Sequence, residues 1–177
     1  MKAVLQAIRA GWCAKIVSGE KTIEVRKTCP NIQPPFKCYI YCTRGNQHAA
    51  LAILPNGVGR IVACSDWNTA IPCGCYIGNG KVIGEYVCDR IERYALMGTN
   101  RHDIAYRRLD AHEFAQDIDL GATCLSAEAL RAYGSGKPLY GWHITQLKIY
   151  AEPLPVEALQ GKRPPQSWVY VDELWSA

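Results

Sequence analysis

Phenylalanine and methionine are nearly absent: two of each in 177 residues. No apolar run reaches the roughly 18 residues that a membrane-spanning helix needs. The opening stretch, MKAVLQAIRAGW, has Arg9 inside its short apolar run, so it makes a poor secretory leader, and a cytoplasmic protein is expected. There is no G-x-G-x-x-G, no internal repeat and no alternation of strands with long amphipathic helices, so a doubly wound α/β sheet is not expected. Acidic residues are scarce early in the chain. Residues 1 to 65 hold nine Lys or Arg against Glu20 and Glu24, a net of +7, while the remainder nets −3. A basic first third on a nearly neutral body suits a polyanionic partner. No polybasic tail accompanies it, which argues against tight non-specific duplex binding.

Cysteine is plentiful, with nine, but the number is odd and the spacing irregular, which argues against a disulfide framework. Cys73-Gly74-Cys75 is too tight for a zinc knuckle. Cys38 and Cys42, inside CYIYC, would stand about 13 Å apart along a strand, too far to share one ion. Cys64, Cys73, Cys75 and His48 form the set that could converge from a loop. The preferred reading is buried or reactive thiols, so no metal and no cofactor is expected. The cysteine-rich segment 64–75 is instead a candidate contact for a protein partner.

With 49% hydrophobic and 20% charged residues, the chain reads as globular, and its length suits a single domain over 1–177. Residues 2 to 8 alternate as a strand. In residues 10 to 18, Trp12 with Ile16 and Cys13 with Val17 recur at helical spacing, and Gly19 suits the helix end. The charged GEKTIEVRK follows as a strand. KCYIYCT, KVIGEYVCDRIERY, LYGWHITQLKIYA and SWVYV also read as strands, with Gly84 marking a bulge or a close backbone approach. Ser126 opens a short helix, EALRAY, that Gly134 closes. Residues 44 to 80 read as an irregular insertion with one short strand near Arg60 to Cys64. Five or six strands with short flanking helices predict an α+β protein built on a small, curved or closed mixed sheet.

In GEKTIEVRK, Thr22, Glu24 and Arg26 take one face of a strand and Ile23 and Val25 the other. Glu24 and Arg26 lie about 6.6 Å apart, close enough to pair or to share a ligand. An exposed ion pair worth under ~1 kcal/mol is the plainer reading. Glu85 shares parity with Ile83, Val87 and Ile91, and a carboxylate on an apolar face needs a cation; Lys21 or Arg26 would serve if the strands meet. His143 shares parity with Leu139, Leu147 and Ile149, where a histidine is more often a satisfied core residue than a catalyst. Five tryptophans and ten tyrosines favour a site with one wet end. Trp12, Tyr140, Trp142 and Trp168 are the rings that sequence associates with the charged strand, and rings beside Lys and Arg suit single-stranded nucleic acid.

The strand and short helix ending in glycine, then G-x-K-T-x-E-x-R, resemble the ASCH domain of the PUA-like superfamily, in its phage and bacterial type. GKVIGEYVCDRIERY, KPLYGWHITQLKIY and RPPQSWVYV resemble later segments of such proteins in the same order. The resemblance implies a small mixed β-barrel with a cleft beside the G-x-K-x-x-E-x-R strand, lined by Lys21, Glu24 and Arg26, that binds RNA or modified nucleosides. It also implies an alternative. Some relatives are acetylcytidine amidohydrolases using a lysine, a threonine and a later glutamate, and another is a ribonuclease. Lys21 and Glu85 match two of those roles, but Glu24 stands where the threonine would be, with Thr22 directly after the lysine. The expected function is thus an RNA- or nucleotide-binding module, with Lys21, Thr22, Glu24, Arg26, Trp12, Tyr140, His143 and Trp168 as contacts. A hydrolase with Lys21 and Glu85 as catalysts is the alternative.

Overall fold

The structure is a computed structural model that describes residues 1–45, 49–54, 59–63, 74–98, 104–109, 116–159 and 163–174. The described chain gathers into two compact units: Met1–Gly19 with Phe36–Val87 and Thr145–Ala177, and Glu20–Pro35 with Cys88–Ile144.

The first unit is built on strand β1 (Lys2–Ile8), which runs parallel to β3 (Phe36–Cys42) and antiparallel to β10 (Trp168–Asp172). After Lys2 every residue of β1 is buried, so the strand is covered on both faces. Leu5, Tyr39, Tyr41, Val82, Val156, Leu159 and Val171 fill one core. A Leu5→Ala cavity there would cost about 2–5 kcal/mol. Helix α1 (Ala10–Val17) buries Ala10, Cys13 and Ile16 and stops at Gly19, whose φ of +80° takes the left-handed turn predicted for it. The part of β7 (Val82–Met97) up to Val87 and the part of β9 (Leu139–Leu154) from Thr145 extend the sheet. Gly84 is the close backbone approach: a Cβ there would run into the carbonyl oxygen of Lys148.

Segment 44–80 is more regular than expected. β4 (Ala49–Ile53) pairs with β5 (Gly59–Ala63) and with β6 (Tyr76–Ile77) in a small antiparallel sheet ordered β5-β4-β6, and α1 lies against β4 and β5. β5 is the strand predicted near Arg60. β4 escapes the sequence because AALAI is alanine-rich and lacks the β-branched, alternating pattern of a strand.

In the second unit the chain runs through β2 (Ile23–Arg26), the remainder of β7, β8 (Ala105–Arg108), helices α2 (Leu120–Thr123) and α3 (Ala127–Gly134), and the first residues of β9. Asp119 caps α2 by accepting from the Ala122 amide, and Ser126 caps α3 by accepting from that of Ala129. Val25, Tyr94, Tyr106, Ile118, Leu130 and Leu139 form its core. The order here is β8-β7-β9-β2, and in the first unit β10-β1-β3-β7-β9. Among the described residues β10 pairs with β1 alone and β2 with β9 alone, so neither order closes on itself. The expected barrel is therefore narrowed to a mostly-sheet α+β fold with few, short helices. Among the described residues no helix is long and apolar enough to cross a membrane.

Candidate functional site

β2 is neither a solvated edge nor a strand with one wet face: Ile23, Glu24, Val25 and Arg26 are all buried. It pairs antiparallel with β9, Ile23 opposite His143, Glu24 opposite Trp142, Val25 opposite Gly141 and Arg26 opposite Tyr140. Residues opposite one another share a face. Glu24 and Arg26 thus go with Trp142 and Tyr140, and His143 goes with Ile23 and Val25. The register separates His143 from the Glu24–Arg26 face with which sequence reading grouped it.

Lys21 precedes the strand, so the alternation does not bind it. It is 3% exposed, and its Nζ donates to the carbonyls of Ile23 at 2.9 Å and Thr123 at 2.7 Å. It also lies 3.4 Å from Glu24 Oε2. On the other side, Glu24 Oε1 is 3.1 Å from Arg26 Nε. One carboxylate therefore stands between two cations, all three nearly dry, a geometry in which each charge depends on the others. Burial pushes the Lys21 ammonium below its ordinary value, against the opposing pull of Glu24. Thr22 is exposed and contributes its backbone, donating to the Ala122 carbonyl and accepting from the Ile144 amide.

Tyr133, near the end of α3, joins this cluster. Lys27 Nζ sits 4.8 Å from its ring centroid. Burial raises the phenol above its ordinary value, and the fields of Arg26 and Glu24 both reach it. Tyr133 is 39% exposed, the ring of the cluster most open to solvent. Sequence reading missed it because Tyr133 falls in a helix segment, far along the chain, with no motif to mark it. Of the expected rings, Tyr140 is half-buried beside Arg26, and Trp142 is fully buried and unable to stack on a ligand. Trp12 and Trp168 belong to the first unit, half-buried on α1 and β10, with Trp168 edge-to-face against Tyr170 at 5.4 Å.

Glu85 also belongs to the first unit, where its partners are Lys37 at 3.3 Å and the Tyr150 hydroxyl, which donates at 2.6 Å. The cation that sequence reading assigned to Lys21 or Arg26 is supplied here by Lys37, one strand over on β3. Burial, and then the bond to Glu85, push the Tyr150 phenol well above its ordinary range.

His143 faces a second polar cluster that sequence reading did not find. Its Nε2 is 2.9 Å from Glu92 Oε2. Glu92 also accepts from the Tyr94 hydroxyl and from Arg108 Nη1 at 3.0 Å, and lies 3.5 Å from Arg90 Nε. Burial opposes the Glu92 charge, but the donors from Tyr94, His143 and Arg108 outweigh it and hold the carboxyl at about 2. Past His143, Gln146 takes a left-handed φ of +49°, so parity counted along β9 does not carry unbroken to Leu147 and Ile149.

His48, Cys64 and Cys73, of the set weighed for zinc, lie outside the described residues, as does most of the 64–75 segment; Cys75 is half-buried. Cys38 and Cys42 are both fully buried.

This mostly-sheet arrangement with short helices is the fold of ASCH domain proteins. An ASCH protein from Zymomonas mobilis superposes with a TM-score of 0.57 at 17% identity, over 97% of this chain and 88% of its own. A tyrosine-to-phenylalanine variant of that protein matches with a TM-score of 0.56 at 17% identity, over 98% and 92%. No family model matches the sequence, and no curated protein matches it.

Proposed function

We propose that this chain is an RNA- or nucleotide-binding module of PUA-like type, its 177 residues acting as one functional module. It engages single-stranded RNA at the end of β2 through Lys27, Tyr133 and Tyr140, with the buried Arg26 behind them. The observation that carries this reading is the buried Lys21–Glu24–Arg26 row, with Tyr133 and its stacked Lys27 alongside. Lys21 and Glu24 fix the strand end and the Arg26 guanidinium. Lys27 supplies charge for phosphate, and Tyr133 a ring for a base. The likeness to ASCH domains is consistent with this role, as is the basic first third of the sequence.

Burial of Lys21, which lowers its pKa, is the feature that favours the hydrolase alternative. Against it, the Lys21 ammonium is directed at two carbonyls and Glu24, which suits a structural cation better than a base.

The test is fluorescence anisotropy of a labelled uridine octamer over a salt series. Binding should weaken with salt, and Lys27→Ala should reduce the slope of log K against log salt by about 0.7. An octamer that binds wild type and Lys27→Ala with one slope would remove Lys27 from the interface. No binding at low salt would remove the RNA reading altogether.

A further inference from the structure

Glu92 is surrounded by donors from three strands. Arg90 and Tyr94 flank it at alternate positions of β7, so their side chains leave on its side of the strand. Arg108 comes from β8, opposite Tyr94 in the register. His143 comes from β9. One carboxylate thus meets two guanidinium groups, an imidazole and a phenol. Asp89 has the opposite parity on β7, and Asp117 is paired with Arg107 at 2.9 Å. Two guanidinium groups thus meet one carboxylate here.

Both guanidinium groups reach solvent. The side chains of Glu92 and His143 are 15% and 11% exposed, so the centre is packed, while those of Arg108 and Arg90 are 32% and 59% exposed. Glu92 accepts from Arg108 through Nη1 and faces Arg90 through Nε, so it fixes both planar groups from the buried side. Guanidinium groups held by a carboxylate behind them form a preorganised fork for an oxyanion in front.

We propose that Arg90 and Arg108, oriented by Glu92 with His143 beside it, form a phosphate-binding site distinct from the β2 cluster. The ligand is a phosphate group, either a diester of an RNA backbone or a terminal monoester of a nucleotide. Tyr94 and His143 act as positioning residues, holding Glu92 in place.

Titration of ¹⁵N-labelled protein with inorganic phosphate, against sodium chloride of equal ionic strength, tests this. The arginine Nε–Hε resonances of Arg90 and Arg108 should shift saturably with phosphate alone. Arg90→Ala, at an exposed position where the fold should persist, should raise the dissociation constant about tenfold. Arg90→Lys should recover part of it, and Lys148→Ala should change nothing. A uridine octamer and uridine monophosphate then separate the sources. If the ligand is the backbone, Arg90→Ala weakens the octamer; if it is a terminal monoester, it weakens only the mononucleotide. Absence of a saturable shift, or equal affinity in wild type and Arg90→Ala, overturns the proposal. Neither result bears on Lys27 or Tyr133, so this site and the β2 cluster stand or fall separately.

Discussion

The Nζ of Lys21 donates to the carbonyl oxygen of Thr123 across 102 positions of sequence, fastening the start of β2 to the end of α2. Removing this amine leaves two carbonyls without their donor and Glu24 with only Arg26. Breaking a buried pair from one side costs about 3–5 kcal/mol, because the remaining charge stays dry. Lys21→Ala should therefore lower the urea midpoint strongly, with an unfolding free energy reduced by about that amount. Adding Glu24→Gln should deepen the loss, since it takes from the buried Arg26 the carboxylate 3.1 Å away. A double variant as stable as Lys21→Ala would mean that the Glu24 charge does not hold Arg26.

Tyr133 separates ring from hydroxyl. Base stacking on an aromatic face is worth about 1–3 kcal/mol per base on truncation. Tyr133→Ala should weaken octamer binding by about that amount, while Tyr133→Phe, which keeps the ring under Lys27, should stay close to wild type. Anisotropy titrations at one fixed salt concentration suffice. If Tyr133→Phe binds as poorly as Tyr133→Ala, the hydroxyl makes the contact and the stacking role is wrong.

Much of the fold could be read from local pattern, and the site only in part. The long runs KVIGEYVCDRIERY and LYGWHITQLKIYA announce β7 and β9, and Gly19, Gly84 and Ser126 stand where chain geometry requires them. Lys21, Glu24 and Arg26 come together because they lie within six residues of one strand and its approach. Partners from distant segments have no such signal. Thr123 contributes a backbone carbonyl, which any residue could supply. Glu92 looked like one more charge in DRIERY; its importance depends on His143 and Arg108 arriving from other strands. The separation of His143 from Glu24 and Arg26 comes from the register of β2 on β9, which alternation within β9 does not give. Lys37 was overlooked as the partner of Glu85 for a similar reason: pairing between strands cannot be deduced from alternation within each.

Gly84 gives the sharpest steric test. A methyl group at this position would overlap the Lys148 carbonyl oxygen and lie 3.0 Å from Ile149 Cδ1. The first of these is backbone, which cannot rotate away. Overpacking costs about 1–3 kcal/mol where side chains adjust, and a main-chain clash belongs at or beyond the upper end. Gly84→Ala should therefore express as destabilised or insoluble protein. Gly11→Ala, where a Cβ meets nothing within 4 Å, should melt near the wild-type temperature. Equal melting temperatures for the two would show that β7 and β9 are spaced more widely than this.

Glu92 makes the acid limb of stability specific. Its carboxyl titrates at about 2 in the folded chain against an ordinary value of 4.5. A depressed carboxyl contributes stability that is fully present above the unfolded value and fades as pH falls towards the folded one. Between those limits the unfolded chain binds the extra proton, so stability must rise with pH. The expected window is from about 4.5 down to about 2. Urea midpoints measured at half-unit steps through it should fall steadily for wild type and more shallowly for Glu92→Gln. At neutral pH Glu92→Gln should be the less stable protein, because Arg108 and Arg90 then face one another without the charge between them. His143→Gln keeps a side-chain donor but removes the imidazole, so it should soften the same slope without abolishing it. Wild type and Glu92→Gln losing stability in parallel across the window would mean that other carboxylates govern the acid transition, and that Glu92 is not held ionised by its three strands of donors.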